Sequence, residues 1–264
     1  TSLERFAHRQ AALVVANSRA VADVLRADGV PEEKLRVIYN GLSESRLTPA
    51  TADRATIRGM LGLRDEVLVL VVVSNLHPYK GHEDLLAALD TLVRQSAMPA
   101  DWVLLVVGRD EPDIEVGRPA AVPGRRERLV RMAHDLGLGA HVVFLGERED
   151  VPELLRAGDI GVHPSHEEGF SNAIIEMMAA GLAIVATSVG GNAEALEGGV
   201  AGMLVSPNAP DEFATALTAL VRNAAERRRL GDLARTRALA KFGIDNCADG
   251  YVSLYDDVLA NLAA

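Results

Sequence analysis

The amino-acid sequence predicts an α/β protein, a parallel sheet with helices on both faces. Two observations point there. Short β-branched runs alternate with amphipathic helical stretches along most of the chain. The longest apolar run, residues 67–73, has the length of one buried strand and is far too short to span a bilayer.

The elements follow in chain order. Residues 12–16 read as a strand, followed by a helix opened by Asn17-Ser18 and ending near Asp28-Gly29. Residues 67–74 read as a buried strand, and 83–94 as a helix with Leu85, Leu86, Leu89, Leu92 and Val93 on one face. A strand over 102–107 ends at Gly108. The stretch 109–124, rich in Pro, Gly and charge, reads as a long loop, and 125–136 as a helix closed by Gly137. Strands over 141–145 and 160–163 bracket a short helix at 151–157. A helix over 172–180, a strand over 183–187, a Gly190-Gly191 turn, a short helix over 192–196 and a strand over 202–205 follow. Helices over 211–222, 225–242 and 246–262 complete a Rossmann-like pattern.

In such open sheets ligands bind beyond the carboxyl ends of the strands. The loops after Ser74, Val107, Leu145, His163 and Thr187 are therefore expected to converge on one site. The first 36 residues hold one strand and one helix, too little for a domain. They are expected to be the remnant of another. The chain also starts without Met inside a helix-like stretch, as a piece of a longer protein would.

Composition narrows the function. The 264 residues suffice for one large or two modest domains. A net charge of −10 argues against sequence-independent nucleic-acid binding. Cys247 is the only cysteine, which excludes an internal disulfide or a cysteine-built zinc site and suits a reducing cytoplasm. The sequence has no H-E-x-x-H, no G-x-S-x-G, no G-x-G-x-x-G after the first main strand and no P-loop lysine. Zinc-peptidase, serine-hydrolase, dehydrogenase and NTPase readings all lose ground.

The stretch from His166 to Glu176 carries the most chemistry. Glu168, Gly169, Phe170, Ser171 and Asn172 precede an apolar helical run, and Glu176 follows eight positions after Glu168. A helix N-terminus offers free N–H groups and partial positive charge, a seat for phosphate. Two carboxylates sharing one glycosidic bond lie roughly 5–9.5 Å apart, whereas eight helical residues span about 12 Å. The pair therefore suits two parts of one elongated ligand, such as a nucleotide-sugar. Lys80, in a loop at the strand ends before Gly81, suits a diphosphate. The alternatives for these positions are a solvated loop lysine and two solvated carboxylates.

Taken together, residues 14–18, 37–41, the Lys80-Gly81 loop, 144–151, 168–176 and 180–191 resemble the retaining glycosyltransferases of family 4, in the C-terminal half of their GT-B fold. The resemblance implies an organisation: residues 1–36 as a remnant of the acceptor-side domain, 37–242 as the nucleotide-sugar donor domain, and 243–264 as a C-terminal helix packing toward the absent half. It implies roles as well. Glu168 would lie against the transferred sugar, and Gly169, Phe170, Ser171 and Asn172 would hold the diphosphate through backbone N–H groups. Glu176 would accept from the ribose, Lys80 would neutralise the leaving diphosphate, and Arg148 and Val151 would frame the base. Asn75 stands where the family usually has arginine, which leaves His77 and Arg109 as candidates to compensate.

The implied reaction is glycosyl transfer from a nucleoside diphosphate sugar with retention, with no metal and no other cofactor. The acceptor would be a sugar, a lipid-linked carrier or a small molecule. The implied place is the cytoplasm, at the inner membrane surface where the absent half reaches it. A nucleotide-sugar epimerase of the same fold and a non-catalytic nucleotide-binding module are the competing readings.

Overall fold

The computed structural model of the protein describes residues 7–8, 10–48, 53–110 and 124–263. The first section runs β1 (Val14–Ala16), α1 (Arg19–Ala27), β2 (Leu35–Val37), α2 (Glu44–Leu47) and α3 (Arg54–Met60). Then come β3 (Leu68–Val73), α4 (His82–Arg94), β4 (Trp102–Val107), α5 (Arg125–Asp135), β5 (Val142–Gly146), α6 (Val151–Ala157) and β6 (Ile160–His163). The last section is α7 (Asn172–Ala179), β7 (Ala183–Thr187), α8 (Asn192–Ala195), β8 (Met203–Val205), α9 (Pro210–Arg222), α10 (Ala224–Lys241) and α11 (Ile244–Ala263).

Strands β3 to β8 form one six-stranded sheet in the order β5-β4-β3-β6-β7-β8, with every pairing parallel. The order reverses direction between β3 and β6. That switch point leaves a crevice at the strands' carboxyl ends.

The pleat explains why a central strand such as β3 is apolar throughout. Leu68, Leu70 and Val72 face one core with α4, α5 and α9, while Val69 and Val71 face a second core with α6, α7 and α10. Residues 69–72 have no measurable exposure, as expected of strands covered on both sides. Helix α4 places Leu85, Leu86, Leu89 and Leu92 in the first core, as its spacing predicts. Burying each such leucine contributes about 1.5–3 kcal/mol.

Strands β1 and β2 pair in parallel as a separate two-stranded sheet, linked through α1. The sequence reading missed β2, a three-residue strand with only Leu35 buried, and it missed α2 and α3, which are too short to show a period. The boundary expected between residues 36 and 37 falls inside β2. Most of the loop expected over 109–124 lies outside the described residues. Arg58 on α3 is 1% exposed, and its guanidinium bonds the carbonyls of Ala157, Asp65 and Val67 and the carboxylate of Asp159. It ties α3 to the end of α6.

Candidate functional site

Lys80 ends a 3-10 turn, Pro78–Lys80. Three contacts seat that turn on the loop after β6. Gly81 adopts a φ of 68°, and a Cβ there would lie 2.0 Å from the Pro164 carbonyl oxygen, so only glycine permits the approach. The His166 amide donates to the Tyr79 carbonyl at 2.7 Å. The His166 ring meets Asp84 through Nε2 at 2.8 Å. The outcome is that Lys80 Nζ donates to Glu168 Oε1 at 2.6 Å in a part-buried ion pair.

The same carboxylate oxygen lies 2.8 Å from His163 Nε2, at the end of β6. Burial pushes the Glu168 carboxyl up. The hydrogen bond and charge of His163, with those of Lys80, outweigh it and hold the pKa down at about 2. Behind them His82 is buried, with its Nε2 3.1 Å from Ser74 Oγ. Burial first, then the nearby charges of Arg125, His163 and Lys80, push its pKa down to about 3.

Residues 169–172 make the turn into α7. Ser171 caps the helix, its hydroxyl accepting from the Ile174 amide. The turn is held from three sides. Gly190, at a φ of 49°, packs so closely that a Cβ would lie 1.9 Å from the Glu168 carbonyl oxygen. The Gly191 amide and the Ser18 hydroxyl both donate to the Gly169 carbonyl, at 2.7 and 3.1 Å. Asn40 Nδ2 donates to the Phe170 carbonyl and to Asn172 Oδ1. The Phe170 ring is buried against Tyr39 and Phe242, so its backbone is the part available to a ligand. The first amides of α7 have no intrahelical partner.

At the other end of the site Glu176 is 6% exposed, and Arg46 Nη1 stands 2.7 Å from its Oε1. The approach lacks hydrogen-bond alignment, and Oε1 counts among the unsatisfied buried atoms. Burial pushes the Glu176 carboxyl up, with Arg46 pulling the other way. Such a carboxylate has accepting capacity to spare.

A cleft of about 560 Å³ runs between these two ends. Of the residues singled out by sequence, Asn75, Lys80, Val151, Glu168, Phe170, Ser171, Asn172 and Glu176 line it together. Two do not. Arg148 forms a two-pronged pair with Asp150 at 2.7 and 2.6 Å outside the lining, and Gly169 is turned against Asn17 and Ser18. Asn75 Oδ1 accepts from the Arg109 amide, and His77 stacks on Tyr79 within the lining.

Sequence reasoning missed Arg46, which belongs to a helix of four residues without a motif, and Tyr79. It gave His163, which also lines the cleft, no role beyond the end of a strand. Gly190 and Gly191 brace the turn from behind rather than lining the cleft. Among the described residues no three His, Cys, Asp or Glu side chains gather as a metal site would require, and no helix is long and apolar enough to cross a membrane.

Residues 53–237, which carry this cleft apart from Arg46, match the family described as glycosyl transferases group 1. The chain belongs to that family. Residues 1–46 match a second description, Glycosyltransferase Family 4, so this group 1 glycosyl transferase is of the family 4 type, and its sheet is the C-terminal Rossmann-like unit. The chain is 31% identical over 247 residues to a D-inositol 3-phosphate glycosyltransferase of Rhodococcus jostii, covering 92% of this chain and 52% of the relative. The Corynebacterium jeikeium protein of the same description is 32% identical over 250 residues, covering 93% and 57%. The chain thus spans about half the length of the curated relatives it matches. Among solved structures, Anabaena HepE in complex with UDP superposes with a TM-score of 0.83 at 28% identity, covering 95% of this chain and 65% of that one.

Proposed function

We propose that this chain is the donor-binding part of a retaining glycosyltransferase that uses a nucleoside diphosphate sugar. The observation that carries the reading is the meeting of Lys80 and Glu168 at the N-terminus of α7, with Glu176 at the far end of the same cleft. HepE is solved with UDP and, separately, with UDP-glucose, which supports a uridine donor.

In this reading the diphosphate sits at the amides of 170–172 and draws on Lys80. The ribose hydroxyls donate to Glu176, displacing Arg46, and the base lies toward Val73 and Val151. Transfer breaks the bond between the anomeric carbon and the phosphate oxygen, whose electron pair leaves with the diphosphate. Negative charge grows beside Lys80 and the helix terminus, where fixed donors stabilise it without reorganisation. Positive charge develops at the anomeric carbon beside Glu168, which is ionised at any working pH given its pKa of about 2. The acceptor sugar, carrier or small molecule would be received by a part of the protein outside this sheet, consistent with curated relatives of which the match covers 52% and 57%.

A thermal-shift screen with UDP, GDP and ADP and their glucose esters tests the reading. A ligand at a hundred times its dissociation constant stabilises the native state by about 2.7 kcal/mol, so one nucleoside diphosphate should raise the melting temperature by several degrees. No shift with any of them would refute donor binding. Proton NMR of the product then reads retention, and recovery of an epimerised donor would favour the epimerase reading instead.

A further inference from the structure

His163 is 1% exposed at the carboxyl end of β6 and has one hydrogen bond to a charged group, Nε2 to Glu168 Oε1 at 2.8 Å. Its other ring nitrogen, Nδ1, is buried without a partner, and Ser165 Oγ adds a 3.2 Å contact at Nε2. Lys80 reaches that same Oε1. The two donors therefore crowd one oxygen of the carboxylate and leave Oε2 for a ligand.

Lys80 cannot serve Glu168 and a diphosphate equally, because a dianion competes for the ammonium. His163 is 1% exposed in the cleft wall, and the one other group within reach of its Nε2 is the neutral Ser165 hydroxyl, so it competes less with a diphosphate than Lys80 does. We infer that His163 is a positioning residue: it holds Oε1 of Glu168 when the donor's diphosphate draws Lys80 away, so that Oε2 stays aimed at the sugar. The binding arm of the test below rests on the donor reading. The titration arm does not.

The groups facing His163 are Glu168, Ser165 and Thr187 from its own and adjoining loops, with His82 and Lys80 from the β3 side. Replacing it by leucine removes the donor at similar bulk. Replacing it by glutamine restores an N–H at nearly the same reach, and the glutamine variant also guards against simple misfolding of the leucine one.

The first measurement is the carboxyl titration of Glu168 by carbon-13 NMR in the unliganded protein. The midpoint, about 2 in the wild type, should rise by at least one unit in His163→Leu and return most of the way in His163→Gln. The second is the ratio of UDP to UDP-glucose affinity, which isolates the sugar's contribution. His163→Leu should bind UDP within twofold of the wild type yet lose the extra affinity for UDP-glucose about tenfold, with His163→Gln restoring it. A Glu168 midpoint unchanged in His163→Leu overturns the inference outright. So does an equal loss of UDP and UDP-glucose affinity that glutamine fails to repair, which is the mark of a purely structural histidine. Wild-type protein that binds neither ligand would defeat the donor reading, and the titration alone would then decide the role of His163.

Discussion

Lys80→Ala separates the two partners, Glu168 and the donor's diphosphate, that the proposed function gives to one ammonium. Lys80 Nζ stands 2.6 Å from Glu168 Oε1, with the side chains 16% and 11% exposed, so the pair is largely shielded from water. A hydrogen bond to a charged group in such a setting is worth about 1.5–3 kcal/mol. At 1.4 kcal/mol per factor of ten, loss of the phosphate contact should weaken UDP roughly 10- to 100-fold. Uridine, which lacks the diphosphate, should bind Lys80→Ala as it binds the wild type. Glu168→Gln should do the opposite to UDP, binding it at least as tightly as the wild type, because the amide releases Lys80 and removes a negative charge beside the phosphates. Isothermal titration of the three proteins with UDP and uridine checks all of this. UDP affinity within twofold of the wild type in Lys80→Ala, or a parallel loss of uridine, would refute the assignment.

Glu168 also leaves a mark on acid stability. Its folded pKa is depressed from 4.5 to about 2, so its stabilising contribution is present in full above 4.5 and is lost as pH falls toward 2. Denaturant titrations should show Glu168→Gln with a shallower loss of stability than the wild type over that window, and parallel curves would contradict the shift. Glu176 has the reverse sign. Its folded pKa is raised above 4.5, so ionisation at neutral pH costs stability. Glu176→Gln should melt higher than the wild type at pH 7, lose that advantage as pH falls toward 4.5, and bind UDP about tenfold more weakly for want of a ribose acceptor. Gly190→Ala should lose at least 2 kcal/mol, roughly 4–8 °C in melting temperature, because the new methyl lies 1.9 Å from the Glu168 carbonyl. Differential scanning calorimetry reads it, and a change under 1 °C would mean that the turn can yield.

The centre of the sheet was legible because β3, β4, β6 and β7 are buried along almost their whole length, which writes an apolar run such as 102–107 directly into the sequence. The start of α7 and the carboxylates on either side of it were legible for a related reason, since helix starts and their chemistry lie close together in sequence. Contacts made across long separations were not. Arg46 meets Glu176 across 130 positions, and nothing in the sequence near Arg46 records its partner. Asn40 and Ser18 likewise brace the 169–172 turn from the small β1-β2 unit. Nothing within residues 37–41 records where the Asn40 side chain lands, since a side chain's distant acceptor has no local signature. Arg148, by contrast, pairs locally with Asp150, two positions away, and stands outside the cleft lining.

The most direct test of the account is a crystal structure of the protein with UDP bound. The account predicts diphosphate oxygens within hydrogen-bond distance of the Ser171 and Asn172 amides and of Lys80 Nζ. It also predicts ribose hydroxyls on Glu176, with Arg46 displaced from that carboxylate. A nucleotide seated outside this cleft, or bound in it with the ribose against Glu168 and the phosphates against Glu176, would contradict it.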